Sequence, residues 1–158
     1  MRASSSQGAG WVAVQFVLMV SQLAAVAYRR SQWPAPASSV AGAALIAAAA
    51  AYGSYGARSL GRNLTPLPEP KPDGELVTSG VYAHVRHPLY ASVMSAGLGW
   101  ALLWRSWPAL ILAFLQVVFF REKARHEEAR LRARFSEYAA YAKRVPPFVP
   151  RLTTDRSR

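Results

Sequence analysis

Four long stretches without a charged side chain divide the sequence. Residues 11–28, 31–57, 88–104 and 106–120 contain no Asp, Glu, Lys or Arg. A helix needs roughly 20 apolar residues, with a range of about 17–25, to cross a bilayer. The first three stretches reach that length, and the fourth must borrow flanking residues or lie in locally thinned lipid. The pattern predicts an all-α, polytopic integral membrane protein with about four transmembrane helices, near residues 11–28, 38–57, 88–104 and 106–120.

Aromatic residues mark the ends of these stretches, where rings favour the headgroup level of a membrane. They are Trp11, Tyr28, Trp33, Trp100, Trp104 and Trp107. An alternative for the first stretch is a cleaved signal peptide, because Ala25-Val26-Ala27 resembles a cleavage site. The weakly basic start and the spans that follow favour a retained first helix.

The remaining segments complete a single domain over residues 1–158. Residues 58–87 form a predicted cytoplasmic linker, in which Pro66, Pro68, Pro70 and Pro72 alternate and favour an extended path. Residues 121–158 form a predicted cytoplasmic amphipathic helix, from Arg121 to about Lys143, and a tail. The helical stripe consists of Leu131, Phe135, Tyr138 and Ala142.

The predicted membrane topology accounts for the net charge of +11. With both termini inside, 16 of the 19 Lys and Arg residues are cytoplasmic, and Arg29, Arg30 and Arg105 are outside. This follows the positive-inside rule and leaves nucleic acid a weaker explanation. The basic tail is also suited to contact anionic lipid headgroups. The sequence has no cysteine and only three scattered histidines, so no metal site is expected.

A candidate site appears where the second predicted hairpin returns to the cytoplasmic face. The run Arg86-His87-Pro88-Leu89-Tyr90 opens the third span, and Glu127-Glu128 follows the fourth, after a turn at Arg105-Ser106. Charge of both signs at a membrane boundary is costly and usually marks a functional site. A helix start with Arg86 and His87 favours an anion, whereas the glutamates favour an ammonium or a sugar diol. S-adenosylmethionine carries all of these groups.

Residues 76–150 contain two groups of motifs. The first is Leu76-Val77-Thr78-Ser79-Gly80-Val81-Tyr82-Ala83 followed by Arg86-His87-Pro88-x-Tyr90. The second is Phe119-Phe120-Arg121, Glu127-Glu128 and Tyr138-x-x-Tyr141-x-Lys143-Arg144-Val145-Pro146. Together, in this order, they resemble isoprenylcysteine carboxyl methyltransferases. Gly97-Leu98-Gly99 also resembles the Gly-x-Gly of the related phospholipid N-methyltransferases, although small residues in a membrane helix often serve only packing.

The resemblance implies an integral-membrane, S-adenosylmethionine-dependent methyltransferase, with its active site at the cytoplasmic face. A lipophilic methyl acceptor would enter from the bilayer, and carboxyl O-methylation of an isoprenylcysteine-like substrate is the expected reaction. The implied catalytic residues are Arg121, which orients an acceptor carboxylate, and Glu127. The implied cofactor-binding residues are Tyr82, Arg86, His87, Tyr90, Gly99, Glu127 and Glu128.

Departures from the family pattern leave the acceptor open. Ser92 stands where the family commonly has glycine, and Gly74 where the eukaryotic enzymes have histidine. A phospholipid or amine N-methyltransferase would use the same cofactor with a different acceptor. A membrane scaffold without catalytic activity would bind no cofactor. A sterol reductase shares a related layout of spans, but the sequence has no glycine-rich dinucleotide fingerprint.

Overall fold

The computed structural model describes residues 2–150, with side chains from residue 8 onward, and contains no strand in that range. The prediction of an all-α protein is therefore confirmed for this part of the chain. The helices are α1 (Arg2–Tyr28), α2 (Pro36–Leu60), α3 (Pro88–Trp104), α4 (Trp107–Arg134) and α5 (Tyr138–Arg144), with short 3-10 turns at Gly61–Asn63 and Gly80–Ala83. The predicted tail from residue 151 to 158 lies outside the described residues.

Within the part of the chain that the structure describes, two helical segments are long and apolar enough to cross a membrane, namely Gly8–Tyr28 and Pro36–Asn63. Helix α3 has 17 residues, and α4 begins with an apolar half and ends with a charged half. Large apolar side chains point outward from the bundle, including Val17 at 63% exposure on α1 and Phe114 at 67% on α4. Such extensive apolar exposure is typical of a surface that meets lipid or a partner.

The turn between α3 and α4 confirms the predicted hairpin. Arg105 adopts the left-handed conformation (φ 52°, ψ 53°) and closes α3, and the Ser106 hydroxyl caps α4 by accepting from the Ala109 N–H at 3.4 Å. The two helices therefore run antiparallel, and the residues after 120 return to the side of the bundle where α3 begins.

Close backbone contact joins α2 to α3. A Cβ added to Gly99 would lie 2.8 Å from the Gly42 carbonyl oxygen and 2.9 Å from Cγ1 of Ile46. A Cβ added to Gly53 would lie 2.7 Å from Oγ of Ser92. Small residues therefore allow these two helices to approach each other closely, as they do in membrane bundles.

A buried pair of amides joins α1 to the α3–α4 hairpin. Gln22 Nε2 donates to the carbonyls of Gly97 (2.9 Å) and Ala109 (3.1 Å), and Gln116 Nε2 donates to Gln22 Oε1 at 2.6 Å. Hydrogen bonds of this kind contribute about 1 kcal/mol to helix association in a membrane. They fix the position of α1 relative to the hairpin.

Helix α4 differs from the prediction because the segments predicted as a fourth span and a separate cytoplasmic helix form one continuous helix. It runs without interruption to Arg134 and ends where Phe135 becomes extended (φ −117°, ψ 112°). The predicted helix to about residue 143 is therefore broken into α4 and α5, since Phe135 and Ser136 are weaker helix formers than their neighbours. The predicted stripe still packs together, in a cluster formed by Leu76, Leu131, Phe135, Tyr138, Tyr141, Ala142 and Val145.

Candidate active site

Glu128 lies at the centre of a buried charge cluster. Its Oε1 accepts from Arg86 Nε (2.9 Å) and His87 Nε2 (3.0 Å) and forms an ion pair with Arg86 Nη2 (2.8 Å), while Oε2 accepts from Arg132 Nη2 (2.9 Å). Burial by itself would raise the pKa of this carboxyl, but the hydrogen bonds and charges of His87 and Arg86 outweigh burial and lower the pKa to about 2. The carboxylate is therefore ionised, and His87 Nε2 carries the proton that it donates.

Arg86 also ties the C-terminal segment to the start of α3. Its Nη1 donates to the carbonyls of Ala142 (2.7 Å) and Val145. The backbone N–H of Arg86 donates to Pro146 O and that of His87 to Pro147 O, both at 2.9 Å. The Arg-His-Pro motif and the Val-Pro-Pro motif, whose contacting residues Arg86 and Val145 are 59 positions apart in the sequence, thus pair directly.

These contacts change the interpretation of Arg86 and Glu128. Most of the guanidinium donors of Arg86 and both carboxylate oxygens of Glu128 are occupied by protein groups. Both residues act in this arrangement as a brace; Arg86 also lines the cleft described next, whereas Glu128 does not. His87 takes part in the brace and also reaches the cavity described next.

A cleft with an empty volume of about 810 Å³, its open mouth included, lies between the start of α3, the second half of α4, α5 and the linker. Four predicted residues line it together with Arg86, namely Tyr82, His87, Tyr90 and Glu127. Further lining residues include Leu60, Asn63, Glu69, Lys71, Glu75, Leu76, Leu131, Phe135, Tyr138 and Tyr141. Glu128 lies behind this wall.

Glu127 lines the cleft and accepts one hydrogen bond from a neighbouring side chain. The Tyr90 hydroxyl donates to its Oε2 at 2.6 Å, and the His87 ring stacks on Tyr90 with centroids 5.3 Å apart. Among the side chains of residues 8–150, none donates to Oε1 of Glu127, whose side chain is 26% exposed. One carboxylate oxygen is thus positioned by Tyr90, and the Glu127 side chain lines the cleft.

The linker forms a wall of the cleft, which sequence reasoning missed. We call residues 64–74 the proline strap. Arg134 Nη2 donates to the carbonyls of Pro72 (2.7 Å) and Gly74 (3.3 Å), and Arg130 pairs with Glu69 at 3.3 Å. Proline has no N–H, so a run of prolines presents unpaired carbonyls to donors from elsewhere. The basic residues of α4 provide those donors.

Three buried tyrosines surround the cleft as neutral donors. Burial raises the pKa of Tyr82 and Tyr138, and it raises the pKa of Tyr141 to about 12. The Tyr141 hydroxyl donates to the Tyr82 carbonyl at 2.6 Å. The Tyr138 hydroxyl has no hydrogen-bond partner within the described chain, although the residue is only 1% exposed. Tyr138 also lines the cleft.

Lys123 is a fully buried cation next to the cleft, and it too escaped the sequence analysis. It is 1% exposed, and its Nζ donates to Gln15 Oε1 at 2.6 Å and to the Pro66 carbonyl at 3.0 Å. Burial lowers the pKa of this ammonium, while the negative charge of Glu127 partly raises it again. A single lysine among many arginines at the end of an apolar helix provides no sequence signal for such a role.

Arg121 lies in a second cavity, separate from Glu127. This apolar groove encloses about 1140 Å³ of empty space, its mouth included, between one face of α3 and one face of α4. It is lined by Ala91, Met94, Ser95, Leu98, Leu110, Ala113, Phe114, Val117, Arg121, Phe148 and Val149. The single pocket that the sequence suggested for Arg121 and Glu127 is therefore two cavities.

Phe148 lies between the cleft and the groove. Its ring centroid is 5.8 Å from that of His87, which lines the cleft, and Phe148 itself lines the groove. Sequence reasoning missed this residue because the pairing of Pro146 and Pro147 with Arg86 and His87 places it there. Gly99, by contrast, lies in the α2–α3 interface and lines neither cavity. No group of three metal-ligating side chains occurs within the described residues.

The family model for phospholipid methyltransferases matches residues 37–137. The match covers α2 apart from Pro36, the proline strap, α3 and all of α4, so most of the lining of the cleft and of the groove falls within it. The lining residues Tyr138, Tyr141, Phe148 and Val149 lie beyond it. The chain belongs to the phospholipid methyltransferase family.

Several curated relatives, which carry different names, each match about half of the chain. The nickel-cobalt-cadmium resistance protein NccN of Alcaligenes xylosoxydans xylosoxydans is 41% identical over 85 residues, which is 52% of this chain and 39% of that protein. Protein-S-isoprenylcysteine O-methyltransferase of Schizosaccharomyces pombe is 38% identical over 80 residues (49% and 34%), and form B from Arabidopsis thaliana is 39% identical over 79 residues (48% and 40%). The resemblance to the isoprenylcysteine enzymes is thus confirmed, although the chain spans only about two fifths of the relatives' length.

Proposed function

We propose that this chain is an integral-membrane methyltransferase that transfers a methyl group from S-adenosylmethionine to a lipophilic acceptor. The observation that carries the proposal is the pair of cavities at the start of α3. A polar, aromatic cleft and an apolar groove with one arginine meet at His87 and Phe148. A polar cofactor and a lipid-borne acceptor require two such sites side by side.

The residues of the cleft fit the chemical groups of S-adenosylmethionine. The free Oε1 of Glu127 suits an ammonium or a ribose diol. The rings of Tyr82, Tyr90 and Tyr138 suit a sulfonium or a flat base, since cations and aromatic faces attract each other. The unpartnered hydroxyl of Tyr138 offers a hydrogen bond. When bound, the cofactor supplies an already activated methyl group.

Among the predicted cofactor residues, Tyr82, His87, Tyr90 and Glu127 would hold the cofactor directly. Arg86 and Glu128 would act through the brace that fixes His87 and the C-terminal segment. We assign Gly99 to the packing of α2 on α3.

The groove suits an acceptor with an apolar chain and an anionic end. Its α3 side is formed by Ala91, Met94, Ser95 and Leu98, and its α4 side by Leu110, Ala113, Phe114 and Val117. Arg121 is the charged residue of the lining. Its planar guanidinium would orient a carboxylate through two parallel hydrogen bonds. Carboxyl O-methylation of an isoprenylcysteine-like molecule, as in the names of two relatives, is therefore the reaction that we favour.

The main task of the protein in this reaction is to position the acceptor and the cofactor relative to each other. A carboxylate acceptor has an ordinary pKa of about 4 and is ionised at neutral pH, so it needs no general base. The tasks left to the chain are to orient the acceptor through Arg121, to fix Glu127 through Tyr90, and to keep the two ligands in line. An amine acceptor would differ because a proton must leave it, and Glu127 would then accept that proton. The family match makes phospholipid N-methylation the second candidate.

We further propose four membrane spans formed by α1, α2, α3 and the first half of α4, with both termini and the cleft on the cytoplasmic side. The outward apolar surface of α1 and α4 and the distribution of positive charge support this arrangement. The cofactor would then enter from water, and the acceptor from lipid between α3 and α4.

Calorimetric titration of S-adenosylmethionine and S-adenosylhomocysteine into detergent-purified protein tests the cofactor site. We expect micromolar binding in the wild type and its loss in Glu127→Gln. Glu122→Gln is the matched control, because Glu122 is on the same helix and is half exposed, paired with Arg125. Absence of binding in folded wild-type protein would favour the scaffold without catalytic activity.

Acceptor screening then separates the two candidate reactions. Methyl transfer to a prenylated thioether carboxylate in mixed micelles, with none to phosphatidylethanolamine, would support carboxyl methylation. The reverse result would support N-methylation and assign the proton-accepting role to Glu127.

A further inference from the structure

We propose that Lys123 is a positioning residue, whose buried ammonium holds the Tyr90–Glu127 pair in the orientation that the cofactor requires. Nothing in the sequence motifs assigns this residue a role. The inference rests on the proposed function, because it concerns the same cleft.

The position of the ammonium is unusual for a lysine. The residue is 1% exposed, and Lys is almost never fully buried unless it is paired. Yet within the described residues it forms no salt bridge, and its Nζ contacts only neutral groups: Gln15 Oε1 (2.6 Å), the Pro66 carbonyl (3.0 Å) and the face of the Tyr90 ring (5.3 Å to the centroid). A hydrocarbon side chain would fill this space at a lower desolvation cost.

The contact with the Tyr90 ring connects Lys123 to the acceptor carboxylate. The Tyr90 ring contacts both the Lys123 ammonium and the His87 ring, which stacks on it at 5.3 Å. A ring held in this way has a defined direction for its hydroxyl, which donates to Glu127 Oε2 at 2.6 Å. Glu127 lies one helical turn after Lys123, so the cation also attracts the carboxylate through space.

The contact with Pro66 connects Lys123 to the wall of the cleft as well. Pro66 belongs to the proline strap, and its carbonyl is held by Lys123, just as the carbonyls of Pro72 and Gly74 are held by Arg134. One ammonium therefore fixes α1, the strap, the Tyr90 ring and, through that ring, Glu127. Removing the charge of Lys123 should therefore make both the Glu127 carboxylate and the proline strap less well ordered.

The test compares Lys123→Met and Lys123→Gln in the full-length, detergent-purified chain, with S-adenosylhomocysteine as the probe. Glutamine keeps an amide donor for Gln15 and Pro66 but has no charge to place over Tyr90. We expect both variants to weaken binding about tenfold, the size of effect that loss of a desolvated cation–aromatic contact produces. Lys143→Met is the matched control, because Lys143 is exposed on α5.

A double-mutant cycle with Tyr90→Phe separates positioning from general stability. Phenylalanine keeps the ring but lacks the hydroxyl that holds Glu127, so Lys123→Gln should then weaken binding by less than about twofold further. Multiplicative losses in the double variant, or unchanged affinity in Lys123→Gln, would overturn the proposal. Failure of the wild type to bind the probe would instead overturn the proposed function.

Hydrogen exchange in the ligand-free protein provides a readout that needs no cofactor. Amides of residues 64–77 should exchange faster in Lys123→Met than in the wild type, with Lys123→Gln between them because it keeps a donor for Pro66. Equal exchange in all three proteins would show that the lysine does not hold the strap, and would count against the proposal.

Discussion

Replacing Glu128 with glutamine is expected to destabilise the fold. The carboxylate accepts hydrogen bonds from Arg86, His87 and Arg132 and is 7% exposed. Its pKa falls from an ordinary 4.5 to about 2. Since each pKa unit corresponds to about 1.4 kcal/mol, the folded state favours the ionised form by about 3 kcal/mol. Loss of one partner of a buried pair costs a similar amount, about 3–5 kcal/mol.

Thermal unfolding in detergent at pH 7 measures this effect. For a domain of this size, about 3 °C is lost per kcal/mol, so the Tm of Glu128→Gln should fall by about 10 °C. Glu127→Gln is the matched control, because its carboxylate is partly exposed and held by one hydrogen bond. That variant should keep its Tm within about 3 °C and lose cofactor binding instead.

The pH dependence provides a second check with a definite sign. The folded pKa of Glu128 is depressed, so its stabilising contribution is present above pH 4.5 and is lost as the pH falls towards 2. The difference in Tm between wild type and Glu128→Gln should therefore be constant near neutrality and shrink in acid. An unchanged Tm at pH 7, together with lost cofactor affinity, would refute the brace and make Glu128 a direct ligand.

Three further predictions follow from the cavities and the helix packing. Arg121→Lys keeps the charge but loses the planar fork, so turnover should fall at least tenfold while the cofactor Kd stays within threefold; equal turnover would remove Arg121 from the acceptor site. Gly99→Ala adds a methyl group 2.8 Å from the Gly42 carbonyl oxygen, which should cost about 1–3 kcal/mol in thermal unfolding; lost cofactor binding at unchanged Tm would contradict a packing role. Phe148→Ala removes the ring between the cleft and the groove, so the KM of the acceptor should rise severalfold in steady-state assays with little change in cofactor Kd, and the opposite split would contradict its position.

Much of the site was predictable because its residues follow directly from the ends of predicted helices. Tyr82, His87, Tyr90 and Glu127 line one cleft, as expected of residues at the cytoplasmic ends of a predicted hairpin. Sequence alone could not distinguish Glu127 from its neighbour Glu128. Adjacent residues on a helix point about 100° apart, and the positions of Arg86 and His87 decide which carboxylate is occupied.

The sequence by itself determined the helical class, the hairpin at Arg105-Ser106 and the start of α3 at Pro88, because these depend on local composition, chain length and the missing N–H of proline. Tertiary structure alone decided that Arg121 and Glu127 face different cavities, that the proline strap is a wall, and that Lys123 is buried beneath Tyr90. Each of these depends on groups that are distant along the chain. Their proximity is set by helix packing and by the pairing of Arg86 with the C-terminal segment, and neither feature has a local signal.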